Sequence, residues 1–364
     1  MEVKLIKNTD STENAVIAQM QNMGHEQILF CNDSATGLKA IIAVHNTVLG
    51  PALGGTRMWS YQNEAEALND VLRLSKGMTY KNAISGLNLG GGKAVIIGNS
   101  RTDKTEALFR RFGKFVNSLG GKYITAEDVG ISPVDMNWVN METNHVVGLP
   151  GKSGDPSPLT ALGVYVGMKA CAKIQFGSDS LKGKKVAVQG VGHVGEYLVS
   201  HLVKEGAIVS VTDIHDDILS RISKEYGVSV VGTDEIYDLD MDIYAPCALG
   251  STINNENLDR LKCGIIAGAA NNQLKDESIH GQELLNKNII YAPDYVINAG
   301  GVINCFSEVK GLSSDWSNSK TKEIYDTIFN IVKRSKDEGL STHAIANKMA
   351  EERIESIGKV KLPM

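Results

Sequence analysis

Apolar positions fall into two patterns along the chain, separated by a polar, turn-forming stretch. Before it, residues 38–49 (Leu-Lys-Ala-Ile-Ile-Ala-Val-His-Asn-Thr-Val-Leu) are rich in β-branched residues and predict a strand, ended by the turn Gly50-Pro-Ala-Leu-Gly-Gly55. Leu68, Val71 and Leu72 stand at helical spacing and predict a helix over residues 64–80, with acids near its start. A short strand over Ala94–Ile97, an amphipathic helix over 103–118 and a strand over Tyr123–Ala126 follow. Residues 1–25 are polar and weakly patterned, and predict a loose arm and a helix.

The separating stretch, Gly148-Leu-Pro-Gly-Lys-Ser-Gly-Asp-Pro-Ser-Pro158, reads as a linker or hinge from its density of turn formers. A helix after it runs to about Ile174, with Ser157 as N-cap and Pro158 at the first helical position. Short apolar strands then alternate with helices. The strands fall at Lys185–Gln189, Ala207–Thr212, Val228–Val231, Ile243–Pro246, Ile265–Ala269 and Ile289–Tyr291; the helices are Val194–Lys204 and Ile214–Tyr226. This alternation implies an α/β fold with a parallel sheet covered on both faces. Residues 320–357 predict two helices split near Gly339.

With 364 residues the chain has room for two domains. Its 42% hydrophobic and 22% charged residues suit a soluble globular protein. A net charge of -5 and the lack of any basic block argue against nucleic acid and anionic membranes as partners. No apolar run approaches the roughly 20 residues that cross a bilayer. The segment Met1–Asp10 has no apolar h-region, so a cytoplasmic location is expected. Five cysteines without a CxxC pair argue against a disulfide framework, and eight histidines without HExxH spacing argue against a catalytic metal.

Two places carry candidate chemistry. The first is Gly190-Val191-Gly192-His193-Val194-Gly195, a GxGxxG between a strand and a helix. Gly190 would permit the tight turn, Gly192 the approach of a pyrophosphate, and Gly195 close packing of helix on sheet. The helix N-terminus would supply free N–H groups and the positive end of its dipole. Asp213, ending the next strand, would bind the adenosine ribose hydroxyls and repel a 2′-phosphate. No arginine follows it closely, so NAD is favoured over NADP. A packing turn in another α/β domain is the alternative.

The second is Gly86-Leu-Asn-Leu-Gly-Gly-Gly-Lys93, with Lys81 twelve residues before Lys93. A lysine in an apolar, glycine-rich turn can lose its proton near neutral pH, which makes Lys93 a candidate general base. Lys81, Lys93 and Asp128, with the glycine turns Gly54-Gly55 and Gly90–Gly92, suit an α-amino acid. One ammonium would hold the carboxylate, a neutral amine would act as base, and the aspartate would exchange protons with the substrate amine. A solvated lysine on a surface turn, or ordinary surface ion pairs, would look similar in sequence.

Long stretches of the chain carry a resemblance. They are Gly50-Pro-Ala-Leu-Gly-Gly-Thr-Arg-Met-Trp59, Lys76-Gly-Met-Thr-Tyr-Lys-Asn82, Gly86–Lys93, Ile124-Thr-Ala-Glu-Asp-Val-Gly130, Ala245-Pro-Cys-Ala-Leu-Gly250 and Ala292-Pro-Asp-Tyr-Val-Ile-Asn-Ala-Gly-Gly-Val-Ile-Asn304. On these, from about Gln27 to Ile357, the chain resembles the glutamate/leucine/phenylalanine/valine dehydrogenases, and their leucine-type members most of all.

The resemblance implies two domains around a cleft. One is an N-terminal α/β substrate and oligomerisation domain over residues 1–148, onto which a C-terminal helix at about 340–364 packs back. The other is a doubly wound Rossmann NAD-binding domain over residues 149–339. It implies reversible oxidative deamination of branched-chain L-amino acids to 2-oxo acid, ammonium and NADH. It gives Lys81 the substrate carboxylate, Lys93 the attacking water, and Asp128 proton exchange with the amine. Thr160, Ala245, Pro246 and Asn271 would border the cofactor, with Asn271 and Asn298 between nicotinamide ribose and substrate. It further implies a homo-oligomer built on dimers, an octamer in leucine-type members.

The same resemblance makes Leu53, Gly54, Gly55, Ala126, Val302 and Cys305 substrate-pocket residues. Glutamate-specific relatives carry lysine where Leu53 stands and serine where Cys305 stands; an apolar pocket leaves a γ-carboxylate without a partner. Leucine-specific members usually carry valine in place of Cys305, so leucine, valine and isoleucine activities are expected to overlap. Phenylalanine, tryptophan or valine as main substrate is the first alternative. A non-catalytic NAD-binding regulator is the second, and the presence of Lys81, Lys93 and Asp128 together argues against it.

Overall fold

The computed structural model describes residues 16–149 and 154–360. The expected N-terminal arm before residue 16, the middle of the linker at 150–153 and the last residues from 361 lie outside that range. The chain is a two-domain α/β protein. One unit takes the described chain up to Thr79 together with Leu89–Val146; the other takes Tyr80–Asn88 and the described chain from Val147.

The first unit is built on a mixed sheet of six strands: β1 (Gln27–Asp33), β2 (Leu38–Asn46), β3 (Ala52–Leu53), β4 (Thr56–Trp59), β5 (Gly90–Ile97) and β6 (Tyr123–Ile124). The order is β1-β2-β5-β3-β6, with β4 also paired to β5. β1 and β2 run antiparallel, as do β2 and β5, whereas β3 and β4 run parallel to β5. β2 is buried along almost its whole length because both of its faces are covered. On one face Leu68, Val71 and Leu72 of the helix Glu64–Ile84 pack on Ile41, Ala43 and Val95. The helix Glu106–Ser118, capped by Thr105, buries Leu108, Phe109, Phe112 and Val116.

Three details depart from the sequence pattern. β1 is a further strand, on the sheet edge, where Phe30 is exposed and the alternation is weak. β4 is a further short strand within the stretch after Gly55. The run Gly90–Lys93 is not a turn but the first half of β5. Its glycines are needed because neighbours crowd the strand: a Cβ on Gly90 would collide with the Asn46 carbonyl, and one on Gly91 with Thr79.

The second unit holds a fully parallel sheet. Its strands are β7 (Lys185–Gln189), β8 (Ile208–Thr212), β9 (Ser229–Val230), β10 (Ile243–Pro246), β11 (Ile265–Ile266) and β12 (Ile290–Tyr291). The order is β12-β11-β10-β7-β8-β9, which is the doubly wound 3-2-1-4-5-6 arrangement when counted from β7. Val186, Val188, Val209, Val211, Ile243 and Ile265 are almost fully buried, as strands covered on both faces require. The helix after the linker spans Ser157–Phe176 with Pro156 at its N-cap; Ser157 is already helical, and its N–H donates to the Asp155 carboxylate rather than its side chain capping the helix. The tail forms Ile324–Glu338 and Thr342–Val360, broken at Gly339, whose φ of 68° is left-handed. The last helix lies against Tyr80–Asn88 within this unit, where Arg353 donates to the carbonyls of Ala83 and Leu87 and to Asn88 Oδ1.

Candidate active site

In the first unit the site is organised by β5. Lys93 stands opposite Ala43 of β2 and is 7% exposed. Its Nζ donates to Asp128 Oδ2 at 2.6 Å. Asp128 comes from the loop after β6, which β4 holds by backbone bonds from Thr56 N to Ala126 O and from Met58 N to Val129 O. Burial pushes the Asp128 carboxyl up, but the cations of Lys93 and Arg57 outweigh it and hold the group below the usual carboxylate range. A buried lysine with a paired, ionised aspartate can deliver and accept protons at one spot.

Leu53 and Ala126 are buried in this unit and provide apolar surface. Gly54 and Gly55 are hemmed in by the protein's own chain: a Cβ on Gly54 would collide with the Gly92 carbonyl, and one on Gly55 would stand 2.5 Å from the Glu127 carbonyl and 2.9 Å from Asp128 Cβ. These glycines let the Asp128 loop and β5 close on β3.

The second unit brings Lys81, Asn298 and Asn271 together. Lys81, in the last turn of the helix Glu64–Ile84, donates from Nζ to Asn298 Oδ1 at 2.6 Å. Asn298 Nδ2 in turn donates to Asn271 Oδ1 at 2.7 Å and to the Ala269 carbonyl at 3.0 Å, so the orientation of its amide is fixed. Asp294 lies one helical turn before Asn298 and accepts from the backbone N–H groups of Gln273 and Tyr295. Burial pushes its carboxyl up, against the pull of those N–H groups, His343 and Lys81. Val302 is buried on the helix Gly300–Lys310, and Cys305, three positions on, shares its face and is partly exposed.

The GxGxxG forms the turn between β7 and the helix His193–Glu205. Gly190 has φ +96°, and a Cβ there would meet Ala248 at 2.6 Å. Around Gly192, the N-cap, no heavy atom stands within 4 Å of a Cβ position, so the helix N-terminus is open to an anion. Gly195 lies against the Gly190 carbonyl. Asp213 follows β8, and its Oδ2 accepts from Val191 N at 2.9 Å, tying the acid to the glycine turn. His215, Asp216 and Asp217 follow it, so no cation stands there in the sequence to meet a 2′-phosphate. Val191 is buried, whereas His193 and Val194 open the helix. Ala245 and Pro246 end β10, next to β7. Thr160 donates from Oγ1 to the Pro156 carbonyl, and a Cβ on Gly301 would stand 3.4 Å from that oxygen. The cradle at Gly192, its bare helix end and the acid at Asp213 fit a dinucleotide.

Burial pushes the thiols of Cys31, Cys171, Cys247 and Cys263 up to about 12, away from the thiolate form. Among the described residues no group of three His, Cys, Asp or Glu is arranged to hold a metal. Sequence reasoning does not single out Arg57, Asp70, Tyr61 or Asp294. Arg57 and Asp294 appear only inside the stretches Gly50–Trp59 and Ala292–Asn304, whereas Tyr61 and Asp70 are polar residues of a loop and a helix with no motif of their own.

Known proteins resemble this chain along nearly its whole length. Residues 25–145 match the family model described as Glu/Leu/Phe/Val dehydrogenase, dimerisation domain. Residues 151–222 and 215–360 match that of glutamate/leucine/phenylalanine/valine dehydrogenase. A leucine dehydrogenase of Thermoactinomyces intermedius is 54% identical over 345 residues, covering 94% of each chain. A phenylalanine dehydrogenase of Caldalkalibacillus thermarum is 48% identical over 339 residues, 91% of each. The crystal structure of L-tryptophan dehydrogenase from Nostoc punctiforme superimposes with a TM-score of 0.85 at 45% identity, covering 94% of this chain and 99% of that one.

Proposed function

The chain belongs to the glutamate/leucine/phenylalanine/valine dehydrogenase family and is an amino-acid dehydrogenase, and on that premise we propose that it performs the NAD-dependent, reversible oxidative deamination of branched-chain L-amino acids, L-leucine first, with valine and isoleucine as further substrates. The products are 2-oxo acid, ammonium and NADH. The observation that carries this reading is the Lys93–Asp128 pair at 2.6 Å, buried in the unit that supplies the apolar Leu53 and Ala126.

The residues then divide the work. Lys81, oriented by Asn298, holds the substrate carboxylate as a point charge. Asp128, kept ionised by its two cations, accepts a proton from the substrate ammonium. Lys93 orients and activates the water that attacks the imino form of the substrate. Leu53, Gly54, Gly55, Ala126, Val302 and Cys305 border the side chain, with no lysine at position 53 to match a γ-carboxylate. The chemistry that NAD would supply there when bound is acceptance of a hydride from the substrate Cα. The Gly190–Gly195 turn would hold its pyrophosphate and Asp213 its ribose hydroxyls, with Thr160, Ala245, Pro246 and Asn271 toward the nicotinamide.

In this reading residues 1–148 form the substrate and oligomerisation domain and 149–339 the NAD-binding domain, in a cytoplasmic homo-oligomer built on dimers. A match to a dimerisation-domain model supports the oligomer. The relative that acts on tryptophan supports a second reading, in which the same reaction takes an aromatic amino acid.

Initial rates of NAD reduction on a panel of L-amino acids at alkaline pH, repeated with NADP, test the proposal. Turnover of leucine, valine and isoleucine with NAD alone is the expected result. Preference for phenylalanine or tryptophan moves the assignment to the second reading. Binding of NAD without turnover of any amino acid overturns both.

A further inference from the structure

Asp128 does not meet Lys93 alone. Arg57 Nε donates to the same Oδ2 at 3.3 Å, and Arg57 Nη1 donates to Asp70 Oδ2 at 3.0 Å. That second oxygen also accepts the Tyr61 hydroxyl at 2.7 Å, while Asp70 Oδ1 accepts from Arg73 at 3.3 Å. Arg57 is therefore clamped between two carboxylates, with its side chain 22% exposed. We propose that Arg57 is a positioning residue for the proposed reaction: its guanidinium fixes the Asp128 carboxylate on Lys93 and is itself fixed by Asp70 and Tyr61. The inference rests on the function proposed above.

Register brings these groups together. β4 lies parallel on β5 with Thr56 opposite Ala94 and Arg57 opposite Val95, so Arg57 stands two residues along the sheet from Lys93. The backbone of β4 holds the chain on both sides of Asp128, through Ala126 O and Val129 O. Asp70 enters from the helix Glu64–Ile84 and Tyr61 from the loop between.

The charges also balance. Lys93, Arg57, Asp128 and Asp70 carry two cations and two anions. Without Arg57, Asp128 would keep Lys93 and Asp70 would keep Arg73, which is half exposed, and no cation would bridge the two carboxylates. Burial works against the Arg57 cation, but Asp128 and Asp70 outweigh it and raise its pKa, so it stays charged throughout. A lysine at position 57 would keep the charge but lose the fork that reaches both acids. Tyr61 and Tyr123 also feel the charge of Asp128, and the Tyr123 hydroxyl donates to the Gly54 carbonyl.

The test compares Arg57→Gln, Arg57→Lys and Asp70→Asn with the wild type. Turnover, KM and the pH dependence of kcat/KM are measured on the best amino acid. For Arg57→Gln the expected result is a kcat lower on the order of 10²-fold and an acid limb moved up by about one pH unit or more, with the Kd for NAD unchanged. Asp70→Asn should move both in the same direction by less. If Arg57→Gln does not fold, Arg57→Lys should lower kcat with the acid limb near its wild-type position. A lower melting temperature with kcat and the acid limb unchanged would make Arg57 merely structural and overturn the proposal. Should the wild type turn over no amino acid, the functional reading fails first. A double-mutant cycle of Arg57→Gln and Asp128→Asn in urea then decides the coupling: additive effects overturn it, and non-additive ones support it.

Discussion

Gly92 lies beneath the ring of Tyr123: a Cβ added to it would stand 2.7 Å from the ring's Cδ2 and 3.1 Å from the Ala52 side chain. The same tyrosine donates to the Gly54 carbonyl at 2.7 Å, so β5, β3 and β6 are locked together directly beside Lys93. Gly92→Ala should therefore destabilise by about 1–3 kcal/mol, as overpacking does, and lower turnover by displacing the lysine. Urea denaturation and initial rates on the same preparation check both; unchanged values would mean the strand yields without cost.

Lys93→Ala should lower deamination by about 10²–10⁴-fold while NAD binds as before. Lys81→Ala should chiefly raise the KM for the amino acid, because it removes the proposed carboxylate contact, which substrate and transition state would share alike. Fluorescence titration with NADH alongside steady-state kinetics separates the two. Wild-type turnover in Lys93→Ala would remove that residue from the mechanism.

In the proposed function Asp213 carries the cofactor preference. Replacing its charge in Asp213→Ser removes repulsion of a 2′-phosphate, so the ratio of kcat/KM for NAD over NADP should fall on the order of tenfold or more. Part of the loss on NAD will come from the turn itself, since the carboxylate accepts from Val191 N and His215 N. A ratio that stays at the wild-type value would assign the preference to other residues.

His25 and His45 predict an acid sensitivity away from the chemistry. Their rings meet edge to face at 4.7 Å; His25 Nε2 donates to the Leu72 carbonyl and His45 Nε2 to the Met23 carbonyl. Burial lowers both from 6.5 to about 4, and each is neutral in the fold. Below pH 6.5 the unfolded chain binds protons that the folded one refuses. The stability they contribute is thus whole above pH 6.5 and lost as pH falls towards about 4, at up to about 1.4 kcal/mol per pH unit for each ring. Urea midpoints across that window should fall with acid, and His45→Gln should flatten the slope.

The parts of the molecule that repeat a local rule are legible in the sequence. Strand–glycine turn–helix at Gly190–Gly195 is one, because strand, turn and acid lie within a short span and need no distant partner. The helix Glu64–Ile84 is another, through Leu68, Val71 and Leu72. What escapes is set by tertiary contact. Gly90–Gly92 look like a turn, and become a strand only because β2, β3 and Tyr123 press on them. β4 is too short for a period to register, and with it goes Arg57, whose importance depends on Asp70 and Asp128 arriving from elsewhere. Lys93 and Asp128 are nameable as candidates, but their ion pair at 2.6 Å is a property of the sheet.

The segment Tyr80–Asn88 has a consequence for how this enzyme can be divided. The chain passes from one unit to the other at Thr79–Tyr80, returns at Asn88–Leu89 and leaves again at Val146–Val147. A fragment ending at Val146 would carry away the stretch on which Arg353 rests, and a fragment beginning at Val147 would lack it. Neither module is therefore a contiguous stretch of gene. Grafting the second unit of a relative onto this chain at the linker would interrupt a fold that is sewn, not merely joined, and a working chimaera must exchange residues 80–88 along with it.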